Sequence, residues 1–199
     1  MEKPKLMVID PPWLWSARSV KGEDRSPRYP RMSLELLKTL PISDALDKDA
    51  VVLLWVTDPL LHKAMEVVKS WNLSFKTVCF YWTKAKPSGK EHMGGGYYTR
   101  ANPEQCWLLT KGKGLPRCSR AVRRWIHAPV RSHSEKPEEF FARVDKLFGD
   151  VPRLEMFARV ARDGWISLGN EIDGLDIFSA LKPYTDDGGG NLNDSAASL

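Results

Sequence analysis

Several features that mark common protein classes are missing from this 199-residue sequence. Its three cysteines, Cys79, Cys106 and Cys118, form no Cys-x-x-Cys pair, so neither a disulfide framework nor a zinc site is indicated. No apolar run approaches the roughly 20 residues that a membrane-spanning helix requires. The amino terminus, MEKPKLMVID, has no signal-peptide core. These absences predict a cytoplasmic protein without a bound metal.

Acidic residues are missing from one long stretch. Between Gln105 and Ser134 there is no Asp or Glu, whereas the basic residues there are Lys111, Lys113, Arg117, Arg120, Arg123, Arg124 and Arg131. A second basic stretch runs from Arg18 to Arg31. Concentrated positive charge attracts polyanions such as nucleic acid, although a solvated surface without a partner shows the same pattern. Arg120, Arg123 and Arg124 are the candidate substrate contacts in this region.

The pattern of apolar residues predicts one α/β domain. With 42% hydrophobic residues, the chain is long enough for a full hydrophobic core. Strands are predicted at 5–9, 50–56 and 75–82 and in the closing segments RLEMFA and WISLG, and helices at 59–71 and from Pro137. This alternation favours a mostly parallel sheet flanked by helices. We assign residues 1–183 to the domain and 184–199, where apolar residues are scarce, to a flexible tail.

Two segments rich in Gly, Pro and charge fit neither element type. They span Ser16 to Arg31 and Lys84 to Ala101, and segments of this length in a compact domain are usually functional or disordered. The second contains MGGGYYTR, in which Tyr97 and Tyr98 would stack on a base if the segment is a lid. A flexible glycine linker explains the same residues equally well.

The tetrapeptide Asp10-Pro11-Pro12-Trp13 directly follows the first predicted strand. Pro11 biases Asp10 towards an extended conformation, and both prolines have a fixed φ and no N–H. The Asp10 carboxylate and the Pro11 carbonyl would then form a rigid pair of acceptors at the carboxyl end of a strand, where ligands bind in open α/β sheets. Trp13, with Trp15, would supply a stacking surface. The alternative is a stiff turn whose Trp13 anchors the core.

A planar amine with two hydrogens suits such a pair of acceptors. The exocyclic nitrogen of adenine is a poor nucleophile because its lone pair is delocalised into the ring. Two acceptors would help it rehybridise, and a fixed carboxylate would stabilise the positive charge that develops during methyl transfer. An aromatic ring would hold a base that has left the helix. The predicted catalytic residues are therefore Asp10, Pro11, Pro12 and Trp13.

Other segments resemble one known family when they are read in order with this tetrapeptide. They are YPRMSLELL, VLLWVTDPLL, FYWTKAK, PEQCWLLTKG, SHSEKPEEFF, RLEMFAR and GWISLGNEIDG. Together they resemble the MT-A-seventy family, which includes the messenger-RNA N6-adenosine methyltransferase and many bacterial and phage adenine methyltransferases. The resemblance extends from about Leu6 to Leu175 and leaves only the tail outside it.

The resemblance implies a Rossmann-like methyltransferase fold in permuted order, with the catalytic loop first and the cofactor half last. S-adenosyl-L-methionine is the implied cofactor. The implied cofactor-binding residues are Ile9, Asp10, Lys136, Phe157, Arg159, Asn170 and Glu171. Tyr29 matches a family tyrosine near the active site. Asn170 and Glu171 are two adjacent acceptors, which suit the hydroxyls of a ribose. Lys136 lies at the start of a predicted helix, where a lysine suits a carboxylate.

The function expected from these patterns is adenine-N6 methylation of nucleic acid, with DNA favoured over RNA. Methylation of RNA is the first alternative, because nothing in the sequence identifies a reader of the 2′-hydroxyl. A non-catalytic nucleic-acid-binding subunit is the second, and methylation of a protein amide is the third. A second copy of the chain or a partner subunit is expected to help bind the target.

Overall fold

A computed structural model of the chain describes residues 1–14, 31–96, 98–131 and 135–186. The strands are β1 (Leu6–Ile9), β2 (Ala50–Val56), β3 (Ser74–Ala85), β4 (Glu104–Lys111), β5 (Trp125–Pro129), β6 (Arg153–Met156) and β7 (Ile166–Leu168). The helices are α1 (Leu34–Lys38), α2 (Ile42–Ala45), α3 (Leu61–Ser70), α4 (Glu138–Phe148), α5 (Asn170–Asp173) and α6 (Ile177–Thr185). A 3-10 turn, Asp58–Leu60, leads into α3.

The seven strands form one sheet in the order β5-β3-β4-β2-β1-β6-β7. Strand β1 pairs in parallel with β2 and β6, β6 with β7, and β3 with β5. Strand β4 is antiparallel to both of its neighbours, β2 and β3. The expectation of a mostly parallel sheet flanked by helices in a Rossmann-like fold is confirmed.

Helices cover both faces of the centre of the sheet. All seven residues of β2 are buried, as the continuous apolar run AVVLLWV predicts for a central strand. Val52, Leu54 and Val56 belong to a core cluster shared with α1, α2, α3 and α6. Val51, Leu53 and Trp55 belong to a second cluster, which includes the apolar face of α4. The fold therefore encloses two apolar layers, one on each side of the sheet.

The structure also contains elements that the sequence did not predict. Strand β5 and helices α1, α2, α5 and α6 are absent from the predicted set, while β2 matches its predicted bounds. Strand β4 lies in the segment PEQCWLLTKG, which was singled out only by its resemblance to the family. Helix α6 ends at Thr185 and Tyr184 is buried, so the first residues assigned to the flexible tail are part of the fold. No helix in the described ranges has the length and apolarity needed to cross a membrane.

Candidate active site

The Asp10-Pro11-Pro12-Trp13 turn begins where β1 ends. Because β6 and β7 run parallel to β1, they deliver Phe157 and Gly169 to the same edge of the sheet. Strand β4 runs in the opposite direction, so its first residue, Glu104, also lies at this edge. The site is thus assembled at the carboxyl ends of the parallel strands, the usual ligand-binding position in open α/β sheets.

Backbone hydrogen bonds fix the shape of the turn. The Trp13 N–H donates to the Pro11 carbonyl over 2.8 Å, closing a three-residue turn. The Met32 N–H donates to the Pro12 carbonyl over 2.9 Å, and the Leu14 N–H donates to the Met32 carbonyl over 3.1 Å. Pro11 is buried, and because a carbonyl oxygen has two lone pairs, its oxygen keeps one lone pair that this turn does not use.

Trp13 lies deeper than the sequence suggested. Its side chain is only 8% exposed and belongs to the core cluster that contains Met7 and Ile9. The indole N–H donates to the backbone carbonyl of Trp55 over 3.0 Å. The structure thus shows the ring as an anchor that ties the turn to β2, which was the alternative interpretation of this residue. Stacking by Trp13 remains a prediction that concerns only the exposed edge of the ring.

Asp10 is the first member of a line of alternating charges. Its Oδ2 accepts a hydrogen bond of 2.6 Å from the Lys136 Nζ. The same ammonium lies 3.3 Å from Glu104 Oε2, and the other oxygen of Glu104 is ion-paired with Lys84. Lys136 is 7% exposed, and its Nζ lies 5.1 Å from the centre of the Trp55 ring. This line of charges (Asp10, Lys136, Glu104 and Lys84) is electrically balanced.

The pKa values within the line follow from burial and from the neighbouring charges. Burial disfavours the charge on Lys136, but the carboxylates of Asp10 and Glu104 outweigh it and raise the pKa of Lys136. Burial opposes ionisation of Glu104 too, yet Lys136 and Lys84 hold its pKa below the ordinary value. For Asp10, burial prevails over the attraction of Lys136 and raises the pKa. Lys136 is therefore the cation that favours the ionised form of Asp10.

A cavity of about 300 Å³ opens beside Asp10. Its lining residues are Asp10, Pro12, Met32, Leu36, Phe157, Arg159, Gly169, Asn170, Glu171, Asp176, Ile177 and Phe178. Apolar side chains from α1 and α6 face charged and amide side chains from the segments that follow β6 and β7. This volume is at the lower end of the range for small-molecule sites, and the combination of an apolar lining with few polar groups is typical of them.

Five of the seven predicted cofactor-binding residues line this cavity, namely Asp10, Phe157, Arg159, Asn170 and Glu171. Phe157 has a φ of 60°, an uncommon conformation for a residue with a side chain. The Arg159 Nε lies 3.9 Å from Glu171 Oε1. Ile9 is fully buried in β1 and does not line the cavity. Lys136 is also absent from the lining, because its ammonium is directed at Asp10 and Glu104.

The predicted substrate contacts are not gathered at the cavity. Arg120, Arg123 and Arg124 are exposed in the segment between β4 and β5. Strand β5 is the edge strand at the opposite end of the strand order from β7. Tyr98 is 94% exposed in the segment between β3 and β4. Trp15, Tyr29 and Tyr97 lie outside the described residues. No cluster of three or more potential metal ligands occurs in the part of the chain that is described.

Sequence reasoning missed Glu104 and Lys84, which complete the line of charges. The signal that could have identified Glu104 is the lone acid near the start of the segment PEQCWLLTKG, but its relevance depends on that segment forming an antiparallel strand. Glu155, in β6, is a further carboxylate on the strand next to β1. Burial raises its pKa to about 7 although Arg162 opposes the shift. The Arg162 Nε lies 3.9 Å from Glu155 Oε2.

Comparisons with known proteins point to the family suggested by the sequence motifs. A family model described as MT-A70, which is the MT-A-seventy family named above, matches residues 4–171. The chain is 28% identical to the type II methyltransferase M.MunI of Mycoplasma sp, over 86% of this chain and 78% of the relative. It is 30% identical to the mouse N(6)-adenine-specific methyltransferase METTL4 and 25% identical to METTL3, the human N(6)-adenosine-methyltransferase catalytic subunit. These matches cover 88% and 92% of this chain but only 40% and 31% of the two relatives.

Proposed function

Because this chain belongs to the MT-A70 family of methyltransferases, we propose that it methylates the exocyclic N6 amine of adenine in nucleic acid. The observation that carries the proposal is the position of Asp10. Its carboxylate lines the cavity and is at the same time held by the buried ammonium of Lys136. A fixed negative charge is therefore present at the mouth of a small-molecule site before any ligand arrives, as electrostatic catalysis requires.

The cavity residues fit S-adenosyl-L-methionine, which supplies an electrophilic methyl group when bound. Glu171 and Asn170 offer adjacent oxygen acceptors for the hydroxyls of a ribose. Phe157, with the apolar side chains of α1 and α6, offers a surface for a purine ring. Gly169 lets the segments that follow β6 and β7 approach each other closely, because a Cβ there would lie only 2.2 Å from the Ala158 carbonyl oxygen. The lining of the cavity thus matches the polar and apolar parts of this cofactor.

Asp10 and Pro11 would act directly on the target amine. The Asp10 carboxylate would accept one amine hydrogen, and the remaining lone pair of the Pro11 carbonyl would accept the other. Both acceptors favour a pyramidal nitrogen with an exposed lone pair, and the carboxylate stabilises the positive charge that develops on it. Pro12 shapes the turn, and Trp13 anchors it through the Trp55 carbonyl. Lys136 would keep Asp10 ionised and oriented.

We place DNA ahead of RNA as the substrate. The type II methyltransferase M.MunI is matched over 78% of its own length, and METTL4, at 30% identity, is named for adenine. METTL3, at 25%, is named for adenosine, the nucleoside that contains ribose. Its name also describes a catalytic subunit, which supports assembly of this chain with a second copy or a partner. Sedimentation with and without oligonucleotide would measure that assembly.

The proposal is tested by transfer of labelled methyl groups to matched DNA and RNA oligonucleotides, followed by analysis of the nucleosides. We expect N6-methyladenine in DNA at a higher rate than in RNA. Asp10→Ala should remain folded but lose at least about 100-fold in rate, the scale of removing one preorganised electrostatic partner. Asp44→Ala, which removes an exposed carboxylate on α2, is the matched control. Near-normal turnover by Asp10→Ala, or methylation of peptide amides alone, would refute the proposal.

A further inference from the structure

Among the described residues, one face of the sheet is uncovered next to the end of the sheet where Asp10 and Glu104 lie, which we call the catalytic edge. It belongs to two strand segments, 81–85 of β3 and 125–129 of β5, which we call the β3–β5 ribbon. We propose that the uncovered face of this ribbon binds nucleotides that flank the target adenine. The inference rests on the proposed function, because it concerns the polymer to which that adenine belongs.

The pairing register shows that the ribbon extends past the catalytic edge. Ile9, the last residue of β1, is in the same row as Leu54 of β2. Two residues beyond Leu54 along β2 is Val56, and the row of paired residues at that position contains Val56, Gln105, Tyr81 and Trp125. From Thr83 onwards, β3 extends beyond the start of β4 and pairs with β5 on one side, while Ala85 forms a single bridge with Glu91 on the other. The ribbon therefore forms a wall beside the edge at which Asp10 lies.

Aromatic side chains stand on the uncovered face of that wall. Trp125 is 63% exposed, and Tyr81, its partner in the register, is also exposed. His127 follows two residues later on the same face, with its ring centre 6.3 Å from that of Trp125. The opposite face of the ribbon is covered, because Trp82 and Ile126 are buried in the cluster that includes α4. The exposed rings are consequently not part of the core.

Hydrogen bonds hold these rings in place. The Trp125 indole N–H donates to Thr83 Oγ1 over 2.7 Å. The Thr83 hydroxyl also lies 3.1 Å from His127 Nδ1. Arg143, on α4, donates to the backbone carbonyl of Trp125 over 2.7 Å. An exposed ring with a fixed orientation loses little conformational freedom when a base stacks on it, which favours binding.

The positive charge beside the ribbon indicates that its partner is a polyanion. Arg120, Arg123 and Arg124 are exposed in the segment that leads into β5. No acidic residue occurs between Gln105 and Ser134, so no acidic residue within that segment neutralises these arginines. Aromatic rings for base stacking next to arginines for the phosphates are the features of a single-strand binding surface. A hydrophobic protein partner would not require this excess of positive charge.

The spacing of the strands gives the distance between the target adenine and the nucleotides that bind the ribbon. Three strand spacings separate β1 from β3 and four separate it from β5, which corresponds to about 14 Å and 19 Å. At the duplex spacing of about 3.4 Å per nucleotide, these distances span about four to six nucleotides. Because an unstacked single strand is longer per nucleotide, the nucleotides that contact Trp125 would lie at most about that far along the strand from the adenine at Asp10.

The test measures binding of a fluorescein-labelled single-stranded DNA with one central adenine, by fluorescence anisotropy and by KM in methyl transfer. Trp125→Ala should raise the Kd and the KM by about 5-fold to 100-fold, the effect of removing one stacking ring, with kcat changed less. Trp125→Phe should restore most of the affinity. Arg120→Gln should lower the slope of log affinity against log salt by about 0.7, the contribution of one phosphate contact to single strands.

Phe75→Ala is the matched control, because Phe75 is an exposed aromatic residue of β3 near the opposite end of the strand. Its Kd should equal that of the unmodified chain. Urea unfolding verifies that each variant is folded, and His127→Ala provides the same test if Trp125→Ala unfolds. Methyl transfer with an unchanged Kd and KM in folded Trp125→Ala and His127→Ala would overturn the inference while leaving the proposed function intact.

The reverse pattern separates the two proposals. Binding of DNA that depends on Trp125, without methyl transfer by the unmodified chain, would refute the proposed function and support the ribbon as a binding surface. If Trp125→Ala weakens self-association in sedimentation and leaves DNA binding unchanged, the face contacts a second copy of the chain and the inference is wrong.

Discussion

Replacement of Lys136 by methionine tests the line of charges most directly. Methionine keeps much of the length and volume of the lysine side chain and removes the ammonium. Asp10 and Glu104 would then face each other without the cation that lies 2.6 Å and 3.3 Å from them in the structure. The cation–π contact of the Lys136 ammonium with the Trp55 ring would be replaced by contact with the polarisable thioether, so the substitution mainly removes charge.

The size of the effect follows from the burial of the three groups. Removing one partner of a buried ion pair costs about 3–5 kcal/mol. Two features reduce that figure, because the Asp10 side chain is 31% exposed and Glu104 keeps Lys84 as a partner. We therefore expect Lys136→Met to lower the free energy of unfolding by about 2–3 kcal/mol near pH 8. With a urea m-value of about 2 kcal/mol per molar, the midpoint would fall by more than about 1 M.

The loss should depend on pH in a defined direction. The pKa of Lys136 is raised in the folded chain, so the stability that its charge provides is fully present below the ordinary lysine pKa and is lost only as the pH rises through the raised value. In Lys136→Met the pKa values of Asp10 and Glu104 rise because the cation that lowered them is gone. Protonation then relieves the buried charges, and the deficit should be smaller near pH 5 than near pH 8.

Urea unfolding at these two pH values, followed by circular dichroism, measures the difference. Lys38→Met is the matched control, because Lys38 also lies between two carboxylates, 3.1 Å from Glu35 and 2.9 Å from Glu66. Those carboxylates are exposed to solvent, so the control should leave the midpoint nearly unchanged. A Lys136→Met midpoint equal to that of the unmodified chain near pH 8, or a larger deficit near pH 5, would contradict the reasoning.

Two further substitutions test the surroundings of the site. Burial raises the pKa of Glu155 to about 7, above its ordinary value of about 4.3, so the unmodified chain loses stability as the pH rises between these values. Glu155→Gln should therefore be about 1–3 kcal/mol more stable than the unmodified chain near pH 8 and no more stable near pH 4, as measured by urea unfolding. Gly169→Ala places a Cβ against the Ala158 carbonyl oxygen and should weaken binding of S-adenosylhomocysteine at least about tenfold in calorimetry. Gly95→Ala, whose Cβ meets open space, should bind it normally.

Buried elements were predictable because their residue patterns are determined by the core. The run AVVLLWV predicted β2 with its observed bounds, since a strand covered on both faces has no polar position. Strand β5 was missed for the opposite reason. Only Ile126 and Ala128 face the core, and exposed Trp125 and His127 alternate with them directly after a basic segment. A short edge strand therefore carries too little apolar signal to be distinguished from a loop.

The line of charges was only half predictable. Asp10 and Lys136 belong to recognisable motifs, but 126 positions separate them in the sequence, and their pairing depends on the closed sheet. Glu104 could not be assigned, because the hydrophobic pattern of a strand does not reveal its direction. The role of Trp13 was equally undetermined, because a tryptophan after a turn suits either stacking or anchoring. Its hydrogen-bond partner in the structure, the Trp55 carbonyl, lies 42 residues further along the sequence.

The reversed direction of β4 explains how a buried lysine can lie beside the site that we propose for a cationic cofactor. An unpaired ammonium next to Asp10 would repel a sulfonium and the positive charge that develops on the target amine. Because β4 begins at the catalytic edge, the Glu104 carboxylate is ion-paired with Lys136 and offsets part of its positive charge. Lys84 is ion-paired with the other oxygen of Glu104. Lys136 can then fix Asp10 without making the cavity positive. The structure thus combines a firmly held carboxylate with a line of charges that has no net positive charge.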